Sequence, residues 1–127
     1  MPLPEETEQT ARHVVDAAVK IHSTLCPGLL ESVYEKCLGI ELAQRGVGYE
    51  RQVSVPITYE GVTVEPGLRL DLVANHCVVV ELKSVEKLLP VHEAQILTYL
   101  KLSGMRLGLL LNFNAALMKQ GIRRVIL

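Results

Sequence analysis

The sequence predicts an α/β domain of the α+β kind, a central sheet with helices packed against it, and three observations carry that expectation. Residues 5 to 45 repeat their apolar positions at helical spacing in two successive patterns. From Tyr49 to Ser84 the chain either alternates apolar and polar residues or runs apolar between turn signals, as strands do. A further helical pattern then precedes Leu107 to Phe113, which is almost wholly apolar, as a strand covered on both faces should be.

Taken in order, residues 5 to 25 carry acids early and Ala11, Val14, Val15, Ala18, Val19 and Leu25 on one stripe, an amphipathic first helix with a scaffold role. Cys26-Pro27-Gly28 breaks it, and a second helix runs from Leu29 to about Arg45 with Gly46 as its C-terminal cap. Tyr49 to Tyr59 alternates as a half-exposed strand, and Pro56 marks it as an edge. Glu60-Gly61 turns the chain into a short strand, Val62 to Val64. Glu65-Pro66-Gly67 turns it again into a hairpin over residues 67 to 84 that reverses at Asn75-His76, where Asn tolerates positive φ. A connection through Glu86, Lys87 and Pro90 leads to a helix from about Val91 to Leu102, stopped by Gly104. The strands Leu107 to Phe113 and Ile122 to Leu127 follow, so the expected order is α-α-β-β-β-β-α-β-β.

At 127 residues, 49% of them hydrophobic, the chain reads as one domain over 1–127 with enough apolar surface for its own core. It has no apolar run of membrane-spanning length and no basic-then-apolar leader, so the expected location is cytoplasmic, with no membrane partner. Three cysteines without a Cys-x-x-Cys pair indicate neither a disulfide framework nor a zinc ribbon. A formal net charge of −1 means that contact with nucleic-acid phosphates needs a local basic patch, for which Lys119, Arg123 and Arg124 are the candidates.

The charges of the 67–84 hairpin are placed oddly. Asp71 lies between Leu70 and Leu72 in mid-strand, and Glu81 and Lys83 follow Val78-Val79-Val80 with one residue between them. Alternation puts Glu81 and Lys83 on the same face, beside Asp71 of the paired strand. Unpaired buried carboxylates are costly and repel one another, so a fold keeps such a cluster where a cation or a function compensates. The plain alternative is a pair of solvated charges at a strand end. Glu31 and Tyr34 share a helical face, and Glu31 near a helix N-terminus has the plain alternative of complementing the dipole. Gln95 and Tyr99 share a face of the later helix with His92, whose ordinary role would be structural.

Together these residues resemble a known group. Asp71 followed by Glu81-Leu82-Lys83, with a helical glutamate before and a helix after, resembles the PD-(D/E)XK nuclease superfamily, although Leu70 stands where its name has Pro. Gly28-Leu29-Leu30-Glu31-Ser32-Val33-Tyr34 matches the signature of its GxxExxY branch, and Gln95-x-x-x-Tyr99 resembles the motif after the Glu-x-Lys strand in RecB-like and Cas4-like nucleases. The likeness extends from about Val14 to Leu127. It implies a restriction-endonuclease-like mixed sheet flanked by helices, and Mg²⁺, with Mn²⁺ as substitute, held by Asp71, Glu81 and the Leu82 carbonyl. Glu31 would join directly or through water, Lys83 would orient or help deprotonate the attacking water, and Gln95 and Tyr99 would position water, ligands or substrate. The implied activity is hydrolysis of phosphodiester bonds in nucleic acid, DNA ahead of RNA, leaving 5′-phosphate ends. The alternatives are a catalytically silent nucleic-acid- or protein-binding module on the same fold, and a metal hydrolase of another substrate, for which the acidic balance, single Phe and absent Trp speak. The small size leads to the expectation that a homodimer or larger assembly supplies the binding surface.

Overall fold

In a computed structural model describing Met1 to Leu127, the helical periodicity of the first third becomes α1 (Glu5–Leu25) and α2 (Glu31–Gln44). The strands are β1 (Tyr49–Tyr59), β2 (Val62–Ala74), β3 (Val78–Lys83), β4 (Leu107–Asn112) and β5 (Ile122–Ile126), with α3 (Pro90–Ser103) between β3 and β4. One sheet holds them in the order β1-β2-β3-β4-β5. β3 and β4 run parallel, because α3 carries the chain back between them, and every other pairing is antiparallel. This is the mixed, helix-flanked sheet expected, with Pro56 on the edge strand.

The strand count is one lower than expected. The turn read at Glu65-Pro66-Gly67 does not form, and β2 runs unbroken from Val62 to Ala74. Between the pairs Val55↔Leu68 and Ile57↔Val64, only Pro56 on β1 faces Glu65, Pro66 and Gly67 on β2. Proline offers no N–H to a ladder, so β2 bulges past it instead of reversing.

Alternation along β3 supplies both faces of the sheet. Val78, Val80 and Leu82 join Val14, Ile21, Leu38, Leu42 and Leu72 in a core under α1 and α2. Val79 joins Leu70, Val73, Ile96, Leu100 and Leu110 in a second core under α3. That helix lies close on β4, since a Cβ at Gly108 would come within 2.6 Å of Ile96 Cδ1. The hairpin tip is as expected. Asn75 and His76 both take positive φ, and the Asn75 amide is held by Glu6 at 2.9 Å and Thr10 at 3.2 Å.

The α1–α2 loop is set by the signature residues themselves. Gly28 sits at φ +114, a conformation open to glycine. Tyr34, fully buried and stacked on Phe113 at 4.4 Å, donates its hydroxyl to Cys26 O at 2.5 Å and accepts the Leu29 N–H at 3.1 Å. Tyr34→Phe removes the partner of both main-chain groups while keeping the ring, so it should destabilise the fold by about 1–3 kcal/mol in urea unfolding. A loss of less than about 0.5 kcal/mol would mean that water serves the loop equally well.

Candidate functional site

β2 and β3 pair from Ala74↔Val78 to Leu72↔Val80 and then part. The next residues are Asp71 and Glu81. The Asp71 N–H donates to Glu81 Oε1 at 3.1 Å, and the Leu82 N–H donates to Asp71 Oδ2 at 3.0 Å. Each carboxylate thereby accepts a main-chain N–H of the opposite strand, replacing the ladder bonds lost by the parting. Asp71 Oδ1 and Glu81 Oε2 are left without a protein N–H donor.

Glu81 is only 5% exposed. Burial, reinforced by the adjacent Asp71 charge, pushes its carboxyl from 4.5 up to about 8, although the Asp71 N–H and the Lys83 charge pull the other way. The pair therefore keeps a proton at neutral pH that a solvated glutamate would have lost. Lys83 follows Glu81 on the α3 face, and its Nζ donates to Gln95 Oε1 at 3.3 Å. Tyr99 lies one turn beyond Gln95, and its hydroxyl is pushed above the usual phenol range by burial and by the Glu81 and Asp71 charges, against a hydrogen bond with Gln95. Five of the expected residues, Asp71, Glu81, Lys83, Gln95 and Tyr99, thus meet on one face. Leu82 contributes its N–H to Asp71 while its side chain packs in the opposite core.

Glu31 is elsewhere. It opens α2, across the sheet from α3, and its Oε2 accepts the Ser84 N–H at 3.0 Å, just beyond the last residue of β3. Direct convergence of three carboxylates, one of the arrangements expected, is not found: no three His, Cys, Asp or Glu residues gather as a metal-holding group. The reason is local, since β3 ends at Lys83 and the Ser84 amide needs an acceptor. His92 has the ordinary role, its Nδ1 accepting the Leu89 N–H at 2.9 Å as a cap on α3. Two of the three candidate basic residues lie beside acids, and Lys119 does not. Arg124 forks onto Glu8 at 2.7 and 2.9 Å, and Arg123 lies 4.0 Å from Glu93.

Two features escaped the sequence reading. Asn112, buried at the end of β4, accepts the Val85 N–H at 3.1 Å and donates to Val85 O at 2.9 Å, pinning the chain after Lys83. An amide closing the run Leu109-Leu110-Leu111 was a readable signal. Glu35, 5% exposed on α2, accepts Arg51 Nε at 2.9 Å, Arg51 Nη2 at 2.7 Å and Gln52 Nε2 at 2.8 Å. Nothing local marks that pairing, because its partners come from β1.

The profile of the PD-(D/E)XK nuclease superfamily matches residues 8–125. The chain belongs to this superfamily. No curated protein and no solved structure matches it. No helix is long and apolar enough to cross a membrane.

The raised Glu81 pKa has a signature in stability. Below about pH 4.5 the residue is protonated whether the chain is folded or not, whereas between there and about 8 only the folded chain keeps the proton. The unfolded chain then binds fewer protons, so the Glu81 contribution to stability falls as pH rises through this window and levels off above it. In chelator, urea unfolding should show wild type losing stability relative to Glu81→Gln as pH rises from about 5 to about 8. Parallel curves would place the Glu81 pKa in the ordinary carboxylate range.

Proposed function

We propose that this protein is a divalent-cation-dependent nuclease of the GxxExxY branch, hydrolysing phosphodiester bonds in DNA ahead of RNA. One observation carries the reading: Asp71 and Glu81, drawn together by strand parting with Lys83 beside them, in a chain of the PD-(D/E)XK superfamily. The donor set fits a hard ion. Two carboxylates each have an oxygen without a protein N–H donor, the Leu82 carbonyl follows Glu81, and no cysteine belongs to the group. Asp71, Glu81 and Leu82 O are the assigned ligands, with Glu31 joining through water from its place on Ser84. Mg²⁺, or Mn²⁺ in its place, supplies a Lewis acid against the negative charge that grows on the phosphate.

The chain's own groups do the rest. Lys83, steadied by Gln95, orients the attacking water and adds positive charge near the phosphate. Tyr99, a phenol that keeps its proton at neutral pH, offers an O–H donor to a phosphate oxygen. Hydrolysis leaves the phosphate on the 5′ end. With Arg123 and Arg124 already paired, a homodimer or larger assembly in the cytoplasm would widen the surface that meets the substrate.

The test is cleavage of end-labelled single- and double-stranded DNA and RNA with Mg²⁺, Mn²⁺ or Ca²⁺. Mn²⁺ should replace Mg²⁺, Ca²⁺ should bind without turnover, and Asp71→Ala should abolish cutting. Lys83→Ala should lower turnover by about 10²–10⁴-fold, the span of a positioned proton-transfer or water-orienting group, with the fold retained. Undiminished cutting after exhaustive chelation, or by Asp71→Ala, would sink the reading. The commitment of Glu31 to Ser84 favours one alternative, a catalytically silent binding module. Salt-sensitive binding of nucleic acid with no cleavage by any cation would establish that instead.

A further inference from the structure

The strands β1 and β2 turn over beside Asp71. The ladder pairs Arg51↔Leu72 and Val53↔Leu70 flank Gln52 and Asp71, which face one another without pairing. Leu72 packs in the core under α1 and α2, and Arg51 points the same way, to Glu35 of α2. Val53 and Leu70 pack instead in the core under α3. Both strands therefore exchange faces across a single residue: Asp71 keeps the α3 side that alternation from Val73 gives it, and Leu70 beside it, which alternation would send to the other side, lies on that side too. The exchange falls where the β2–β3 ladder ends, at the residue whose carboxylate takes the Leu82 amide and lies beside Glu81.

The residue that absorbs the change on β1 is Gln52, at φ +54. A side chain other than glycine adopts this region at a cost and needs its surroundings to hold it there. Those surroundings are Glu35. Its Oε1 takes the Gln52 amide at 2.8 Å, while its Oε2 takes Arg51 Nη2 at 2.7 Å. One buried carboxylate grips both residues of the turnover, from the face opposite to the site.

We propose that Glu35 is a positioning residue: through Arg51 and Gln52 it holds the local reversal of β1 opposite Asp71, and so steadies β2 at the point where it leaves its ladder with β3 and Asp71 meets Glu81. Strand irregularities beside a site commonly re-aim one side chain, and groups that orient a metal ligand commonly tune metal affinity. The metal arm of the test rests on the cation reading above, whereas the aiming of Asp71 does not depend on it.

Two substitutions separate backbone shape from side-chain loss. Gln52→Ala and Gln52→Gly both delete the amide and both leave the Glu35–Arg51 pair, but only glycine takes positive φ freely. Glu35→Gln is the third variant, and the Gln52 pair keeps the test decisive if loss of the Arg51 partner prevents folding. The readouts are hydrogen exchange at the Asp71 and Leu82 amides, against Val79 as a core reference, and calorimetric titration with Mn²⁺. Gln52→Ala should lose protection at both amides and bind Mn²⁺ about ten-fold or more weakly than wild type, while Gln52→Gly stays protected and binds more tightly than Gln52→Ala. Wild-type protection in Gln52→Ala would overturn the inference, even where Mn²⁺ binds. The expected protection pattern without Mn²⁺ binding to wild type would uphold the positioning role and remove the cation reading.

Discussion

Where β2 and β3 separate, two carboxylates take over from the backbone ladder, and the candidate site depends on that substitution. A parting pair of strands leaves N–H groups that need acceptors. Asp71 and Glu81 serve each other's strand in this way, so the same bonds that finish the hairpin also hold two like charges together. The repulsion is eased by a proton retained on Glu81. Structure and chemistry are therefore not separable here: removing either acid disturbs both the strand junction and the charge cluster.

The elements around this junction act from different sides. α3, brought close to β4 over Gly108, turns Gln95 toward Lys83 and Tyr99 toward the two acids. From the other face, α2 contributes Glu31 to the end of β3 and Glu35 to β1, one helical turn apart. Asn112 fixes the path of the chain just after Lys83. The site is assembled from three strands and two helices, so each of these side chains is placed by a regular element and none by a loop alone.

Much of this was readable in order. The three helices, the edge position of the Pro56 strand, the Asn75 reversal and the buried strand from Leu107 to Phe113 all follow from periodicity and turn chemistry, which are local. The shared face of Glu81 and Lys83 follows from alternation, and the Gly28-to-Tyr34 motif was legible as a resemblance, whereas the loop that its glycine and tyrosine close was visible only in the structure. The Glu65-Pro66-Gly67 turn was misread for a physical reason. The same residues that reverse a chain also make a bulge, and the choice between them depends on whether a partner strand lies alongside.

The sequence by itself determined the element types, the two-faced alternation of the hairpin, and the placing of an acid and then an acid-x-lysine on neighbouring strands. Tertiary structure alone decided where Glu31 points, that Arg123 and Arg124 face acids, and that Gln52 adopts a left-handed backbone opposite Asp71. The division follows from range. Helical and strand periods are set by neighbours a few residues away, whereas a carboxylate on one helix meets an amide or guanidinium brought by distant strands only after both cores have closed on the sheet.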